Sequence, residues 1–451
     1  MPGYIEDRWT TKRIDPETGK RCRTKRYGKG KRWRVAGVPG VRDRSFEREA
    51  DAKAWLKESA TDSTRGNFYD PRDGTMTLRE YVEEHWWPHL RKPPSTKSSM
   101  KPRVFNHILP HIGHLSLNRI GHDEILAWQT KAERKLEVST LSTTWRHFSS
   151  IMQAAYKAKR IPANPFRDED LKAPTVPKSK AKAWSPETVI GVRTALPARY
   201  RILLDLGIAA GLRQGEAFAF SPDDIDGDEI RVVRQVVRIN SRLGFAPPKG
   251  NKERIAPCPP ALARAVKEYA NFFPTVEVTL PWVDPDRPNL EWEDRPLRTA
   301  RLLVTTIRTK GKSGGAMNRT YFDDHVWKPA LVEAGVIPAP EVEVVRRPGR
   351  SPLRRTRWKM PREEGFHVTR HTFASIVLQA GETVTQLAAW LGHSDPAFTL
   401  RTYVHFMPKS GSKGLAALGS WVAPDLGGGA EISAASDSPQ ILPSTALDQG
   451  S

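Results

Sequence analysis

The sequence predicts a multidomain protein, mainly α with small β-sheets, and three observations lead there. At 451 residues, and with about 150 residues per folding unit, the chain has room for about three domains. Hydrophobic residues at 38% and charged residues at 27% are compatible with packed cores and exclude disorder of the whole chain. Apolar positions recur at helical spacing through the middle and C-terminal parts, whereas β-branched runs are short.

An N-terminal module of β-sheet plus helix is expected over residues 1–70. Between Arg8 and Arg34 stand twelve Lys or Arg against Asp15 and Glu17, interleaved with Trp9, Tyr27 and Trp33 and punctuated by turns at Gly19 and Gly28. Such interleaving favours a small antiparallel sheet with a basic face over a solvated basic tail. A helix follows from about Glu47 to Ser59, with Ala50, Ala54 and Trp55 on one face. Residues 75–167 read as an all-helical unit, because Leu78, Tyr81 and Val82, and later Leu141, Trp145, Phe148, Ile151, Met152 and Ala155, repeat at helical spacing. Residues 168–184, with Pro174, Pro177 and a set of lysines, read as an exposed linker.

The largest unit is expected over 185–413, mixed α and β. Ser185-Pro186-Glu187 opens it as an N-cap followed by Pro in the first helical turn. A helix through Ile202 to Ile208 comes next, then a strand over Ile230 to Ile239 and another near Arg254 to Ala256 after the Gly250-Asn251 turn. Helices return over Ala261 to Phe273, over His367 to Ala380 before Gly381, over Val384 to Leu391 before Gly392, and after Asp395-Pro396. Beyond Lys413 there is neither Lys nor Arg, and the acidic stretch 414–451 is expected to be disordered.

The charge narrows the partners. Lys and Arg number 72 against 51 Asp and Glu, a net +21, so the surface field attracts polyanions, nucleic acid first. No stretch approaches the about 18 apolar residues of a spanning helix, and Met1 to Trp9 lacks a signal-peptide core, so no membrane partner and a cytoplasmic location are expected. Two distant cysteines, Cys22 and Cys258, argue against a disulfide scaffold or a cysteine-ligated zinc. Gly311-Lys312-Ser313 imitates the end of a phosphate-binding loop, but Thr306 stands where its first glycine belongs. His107, His111 and His114 have Pro110 and Gly113 between them and cannot share one regular helix face, so no metal is expected.

Four islands of the third unit gather phosphate-binding and proton-transfer groups: Gly211-Leu212-Arg213-Gln214-Gly215-Glu216; Pro248-Lys249-Gly250-Asn251-Lys252-Glu253-Arg254; His367-Val368-Thr369-Arg370-His371; and Leu391-Gly392-His393 with Tyr403. Their residue types suit one reaction. Two arginines, Arg213 and Arg370, can grip the non-bridging oxygens of a phosphodiester as charge develops on them. A tyrosine hydroxyl, with a free pKa near 10, needs a positive site and a proton acceptor, for which His367 is a candidate, alternatively a donor to the phosphate. A lysine on a hairpin can protonate the leaving 5′ oxygen: Lys249, or Lys252 in its place.

In order and spacing these islands resemble the tyrosine recombinase, or phage integrase, family, over roughly Thr77 to Phe406. The resemblance implies Arg213, Lys249, His367, Arg370, His393 and Tyr403 as the catalytic set, with Glu216 and His371 in support, on a mixed α+β catalytic domain. It implies that 75–167 is a helical, SAM-like domain binding core-site DNA. It also implies an arm-site DNA-binding module at 1–70, with Arg21, Arg23, Lys25, Arg26, Lys31 and Arg32 as contacts. The activity implied is strand cleavage and rejoining through a 3′-phosphotyrosyl link, without cofactor. The partners implied are double-stranded attachment sites, a homotetramer on DNA in the bacterial nucleoid, and host bending and directionality factors. Where the family often has Asp-Leu, this chain has Val368-Thr369, and 274–362 reads as an insertion that either contacts DNA or is a solvated loop. A resolvase or transposon-type recombinase, a type IB topoisomerase, and a DNA-binding regulator without catalysis are the competing readings.

Overall fold

The computed structural model describes residues 3–38, 41–64, 69, 72–177, 181–307, 314–347 and 350–407. The tail 414–451, Gly311-Lys312-Ser313 and Lys178 to Lys180 lie outside the described residues. The architecture is mixed, helices with small antiparallel sheets.

At the N-terminus, β1 (Tyr4–Asp7), β2 (Thr10–Ile14), β3 (Arg21–Arg23), β4 (Trp33–Ala36) and β5 (Arg44–Phe46) precede α1 (Glu49–Thr64). A three-stranded sheet runs in the order β1-β4-β5, and β2 with β3 forms a separate hairpin. Val35, Val38 and Ala52 make a small core beneath Ile5, Trp33, Phe46, Trp55 and Leu56. The helix α1 runs past the expected end at Ser59, and within its last turns the Thr61 hydroxyl donates back to the Lys57 carbonyl at 2.8 Å.

The second core is wholly helical. Thr77 and Glu80 form a capping box that starts a helical run over 78–86. Then follow α2 (Pro94–His107), α3 (His122–Glu133) and α4 (Val138–Lys157). The periodic residues Leu141, Trp145, Phe148, Ile151, Met152 and Ala155 of α4 are all buried, and Phe148 meets the edge of Trp128 at 5.2 Å. The segment 168–184 ends anchored: Trp184 stacks on Trp327 at 5.7 Å, and its indole N–H donates to Glu364 at 2.8 Å.

The third core is built by α5 (Pro186–Ala195), α6 (Ala198–Ala209), α7 (Gln214–Phe218), β6 (Ile225–Asp226), β7 (Glu229–Val232), β8 (Gln235–Ile239), β9 (Arg242–Ala246), β10 (Arg254–Pro257), α8 (Pro260–Phe272), β11 (Val276–Pro281) and β12 (Leu297–Leu302). A helical run over 319–333 follows, then β13 (Glu341–Arg347), β14 (Arg350–Arg357), α9 (His367–Gln379), α10 (Val384–Leu391) and α11 (Pro396–Tyr403).

Two expectations are corrected. The single strand Ile230 to Ile239 is broken, because Arg234 turns aside to make a two-pronged pair with Asp224 at 3.0 and 2.8 Å. As a result β7 pairs with β10, while β8 pairs with β9. The segment 274–362 is not an appended insertion as a whole: Leu302, Val304, Phe322, Trp327 and Leu331 bury in the same core as Leu203, Leu206 and Phe218. The β13–β14 hairpin does stand apart from that core, with Val342 and Val344 more than half exposed. Among the described residues, no helix is long and apolar enough to cross a membrane.

Candidate active site

The site grows from four helix ends that meet. The chain reaches Arg213 through Gly211, whose φ of +62° and the Phe373 ring, 2.7 Å from where a Cβ would stand, leave room for glycine alone. Arg213 then caps α7. Its backbone N–H donates to Glu216 Oε2 at 2.8 Å and its Nη1 to Oε1 at 2.9 Å. The same buried carboxylate receives two further bonds, from Arg254 Nη1 at 2.9 Å and Nη2 at 2.6 Å. Burial by itself would raise the Glu216 carboxyl, but the hydrogen bonds and charge of Arg254, then the charge of Arg213, hold it at about 2.

Arg370 comes from the first turn of α9 and is 1% exposed. Its Nη1 donates to the Gly211 carbonyl at 2.7 Å and its Nη2 to the Leu391 carbonyl. Arg213 Nη2 reaches that same Leu391 oxygen at 3.4 Å, so one carbonyl at the end of α10 draws both guanidinium groups together. Burial, then Arg213 and Arg254, lower the Arg370 pKa, yet a guanidinium stays charged at neutral pH. Its Nε is buried without a hydrogen-bond partner among the described residues.

His393 follows Gly392, which ends α10 at φ +64° and must stay small because a Cβ would meet Arg254 Cδ at 2.7 Å. The imidazole is held from both sides, Nδ1 at 2.7 Å from the buried Thr399 hydroxyl and Nε2 at 3.4 Å from Arg370 Nη2. Burial, then Arg370, Arg213 and Arg254, push its pKa down to about 4. A neutral ring whose Nε2 accepts from Arg370 has its proton on Nδ1, directed at Thr399.

Tyr403, the last residue of α11, is 2% exposed, in a pocket with Phe373, Leu378, Leu387 and Leu391. Its hydroxyl lies 2.9 Å from Nδ1 of His371. Burial pushes the Tyr403 pKa up to about 12, against the opposite pull of Arg370 and Arg213. His367 does not hydrogen-bond the tyrosine; it packs edge-on against His371, ring centres 4.7 Å apart. The protein crowded around His367, then His371, Arg370, Arg213 and His393, lower its pKa, although an edge of the ring remains exposed.

The structure therefore brings together Arg213, Glu216, His367, Arg370, His371, His393 and Tyr403. Lys249 and Lys252 are not in this cluster. Both are exposed in the turn between β9 and β10, and among the described residues neither makes a hydrogen bond or ion pair to it. Sequence reasoning missed Arg254 and Thr399. The first opens β10, just after the turn that carries Lys249, and the second lies between His393 and Tyr403, but only the fold shows what they touch.

In the N-terminal module Arg21, Arg23, Lys25, Arg26 and Lys31 are exposed, with the Arg23 guanidinium 4.1 Å over the Tyr27 ring. Arg32 differs. Its Nε and Nη2 are tied to Asp7 at 3.2 and 2.8 Å, and that carboxyl is held well below its ordinary range, so this arginine braces β1 against the turn before β4.

No family model matches the chain. The integrase of Mycobacterium phage D29 is 23% identical over 398 residues, which is 84% of this chain and 91% of that protein. The tyrosine recombinase XerC-like protein of Caldanaerobacter subterraneus is 23% identical over 282 residues, 58% of this chain and 60% of that one. Among solved structures, the Tn1549 transposon integrase in complex with transposon right end DNA superposes with a TM-score of 0.56 at 15% identity, covering 77% of this chain and 100% of that one. The names of these relatives and the shared fold are those of tyrosine-type site-specific DNA recombinases. Over most of its length the chain is similar to proteins named integrase and tyrosine recombinase, and it shares the fold of the solved transposon integrase.

Proposed function

We propose that this recombinase inserts and excises a phage or other mobile element, with Tyr403 as the nucleophile that cleaves one strand of an attachment site. The observation that carries the assignment is the meeting of Arg213 and Arg370 at one carbonyl, that of Leu391, with His393 against Arg370 and the Tyr403 hydroxyl on the neighbouring His371. In the free enzyme the two guanidinium groups are already oriented by backbone oxygens and Glu216, so a phosphodiester meets donors that need little reorganisation. The unpartnered Nε of Arg370 and the partly open Arg213 are the donors left for its non-bridging oxygens. His393, to donate from Nε2, gains a proton as the phosphate arrives, and the added negative charge favours that gain.

Attack by the Tyr403 hydroxyl forms the O–P bond and breaks the bond to the 5′ oxygen, which leaves with a proton. Lys249 is the donor in this reading, brought in when DNA draws the β9–β10 turn over the phosphate. The 5′ hydroxyl of another strand reverses the step on the phosphotyrosyl link, so bond energy is kept and rejoining needs no nucleotide cofactor. Residues 75–167 serve as the core-site clamp, 168–184 as the linker and 1–70 as the arm-site module, and four protomers assemble on paired sites. The basic surface of the N-terminal hairpin and the similarity to the phage D29 integrase over most of both chains support this division.

The test is a DNA duplex selected from random sequence by the full-length protein. Tyr403→Phe is expected to shift this duplex in a gel as the parent does and to form no covalent adduct. Removal of residues 1–70 is expected to leave that core binding intact and to abolish recombination on a full donor site. Recombination at the parental rate by the truncated protein would exclude the arm-binding role.

A further inference from the structure

The residue that receives the nucleophile's proton has a sequence candidate, His367, and a different structural one. We infer that His371 is a catalytic residue, the group whose Nδ1 takes the proton of the Tyr403 hydroxyl as that oxygen attacks phosphorus. The inference rests on the recombinase reading above and deepens it.

The geometry is direct. His371 Nδ1 lies 2.9 Å from Tyr403 Oη, a hydrogen bond between the nucleophile and a base, while the two rings are tilted with centres 5.5 Å apart. A neutral tyrosine hydroxyl is the donor, so Nδ1 carries the lone pair and the ring's own proton sits on Nε2. Both partners are held in place. Tyr403 is wedged in the apolar cluster between α9, α10 and α11, and His371 projects from the residue next to the buried Arg370. His367, one turn earlier on the same helix, packs edge-on against the His371 ring, and it is His371 that bonds the hydroxyl.

The charges around His371 act in one direction in the free enzyme. Arg370 and His367 on its own helix, His405 in the turn after Tyr403, and His393 on a facing element surround it; burial, then Arg370 and His405, lower its pKa to about 4. It is thus neutral and able to accept at physiological pH. A bound phosphodiester adds a negative charge beside Arg370 and Arg213 and offsets the cations that weaken this base, so proton transfer becomes favourable only when the substrate is present. The balance closes on itself. The Tyr403 proton goes to His371 Nδ1, the O–P bond forms, the bond to the 5′ oxygen breaks, and on rejoining the departing tyrosine oxygen recovers the proton from His371.

The experiment measures single-turnover adduct formation by full-length protein on a nicked duplex carrying the selected site, as a function of pH, with gel shift as the binding readout. The parent is expected to cleave at a rate flat above about pH 6, since His371 is already neutral there. His371→Ala and His371→Asn are both expected to bind DNA normally and to cleave about 100-fold more slowly at neutral pH. In both, the rate is expected to rise about tenfold per pH unit as solvent takes over the deprotonation. Added imidazole is expected to restore part of the rate of His371→Ala. Asparagine keeps a hydrogen-bonding group near the Nδ1 position without a basic nitrogen. Parental rate and a flat profile in His371→Asn would therefore show a positioning role only and overturn the inference, even if the alanine variant fails to fold. Adduct formation by the parent with an unaltered His371→Asn profile overturns this inference alone, whereas no adduct from the parent overturns the recombinase reading itself.

Discussion

The N-terminal module and the catalytic centre are both rich in arginine, and they hold it in opposite ways. Arg21, Arg23 and Arg26 stand in water on the β2–β3 hairpin and the turn after it, with no carboxylate fixing them among the described residues. In the centre, Arg370 is 1% exposed and the Arg254 side chain 6%, and each is tied to backbone carbonyls or to Glu216. Exposed arginines supply a diffuse, salt-sensitive attraction for phosphates. Buried ones are costly to desolvate and are held where hydrogen bonds fix most of their donors, so they supply fixed geometry instead. Arg32 marks the boundary between the two uses, for it lies in the basic module but is pinned by Asp7.

The largest expected effect lies at the buried end. Arg370→Ala removes the buried guanidinium proposed to meet the phosphate and is expected to lower the cleavage rate by about 10³-fold, with DNA affinity in a gel shift changed by no more than about threefold. A fall in affinity matching the fall in rate would break the distinction between the two kinds of arginine. Arg254 is spent on the Trp390 carbonyl and Glu216, and its removal leaves Glu216 with half its partners. Arg254→Ala is expected to cost about 3 kcal/mol of folding stability, the penalty of an uncompensated buried charge, read as a lowered urea midpoint.

The same carboxylate has a pH signature. Glu216 is held at about 2, below its ordinary 4.5. A depressed carboxyl contributes stability that is fully present above its unfolded value and is lost as pH falls from about 4.5 through about 2. Glu216→Gln is expected to flatten that part of the acid-unfolding curve, and an unchanged slope would show that Glu216 is not the group responsible. The smallest effect belongs to the exposed end. Alanine at Arg21, Arg23, Lys25 and Arg26 together is expected to weaken DNA binding and reduce the slope of log affinity against log salt by about 0.9 for each phosphate no longer neutralised. Arg32→Ala is expected to lower the stability of the module and leave that slope nearly unchanged.

How legible this was in the sequence follows the same divide. The helical spacing of Leu141 to Ala155 and the caps at Ser185 and Asp395 are local signals, and the corresponding helices form where they point. Arg213, Arg370, His393 and Tyr403 could be read because each lies in a short island of characteristic order. Arg254 and Thr399 could not, since their roles depend on contacts with Glu216, 38 residues away, and with His393 around a helix start. The break at Arg234 was hidden for the same reason, a β-branched run giving no hint that Asp224 would pull one residue out of the strand. His371 was visible as the histidine after Arg370, but only the packing of α11 against α9 sets it, rather than His367, on the tyrosine.

The most direct test of the central claim is to identify the amino acid joined to DNA. The full-length protein would be trapped on a nicked duplex, digested with protease and nuclease, and the nucleotide-bearing peptide sequenced by mass spectrometry. The account predicts a 3′-phosphate linked to Tyr403, within the peptide that begins after Arg401. Linkage to any other residue, or an adduct that persists in Tyr403→Phe, would contradict it.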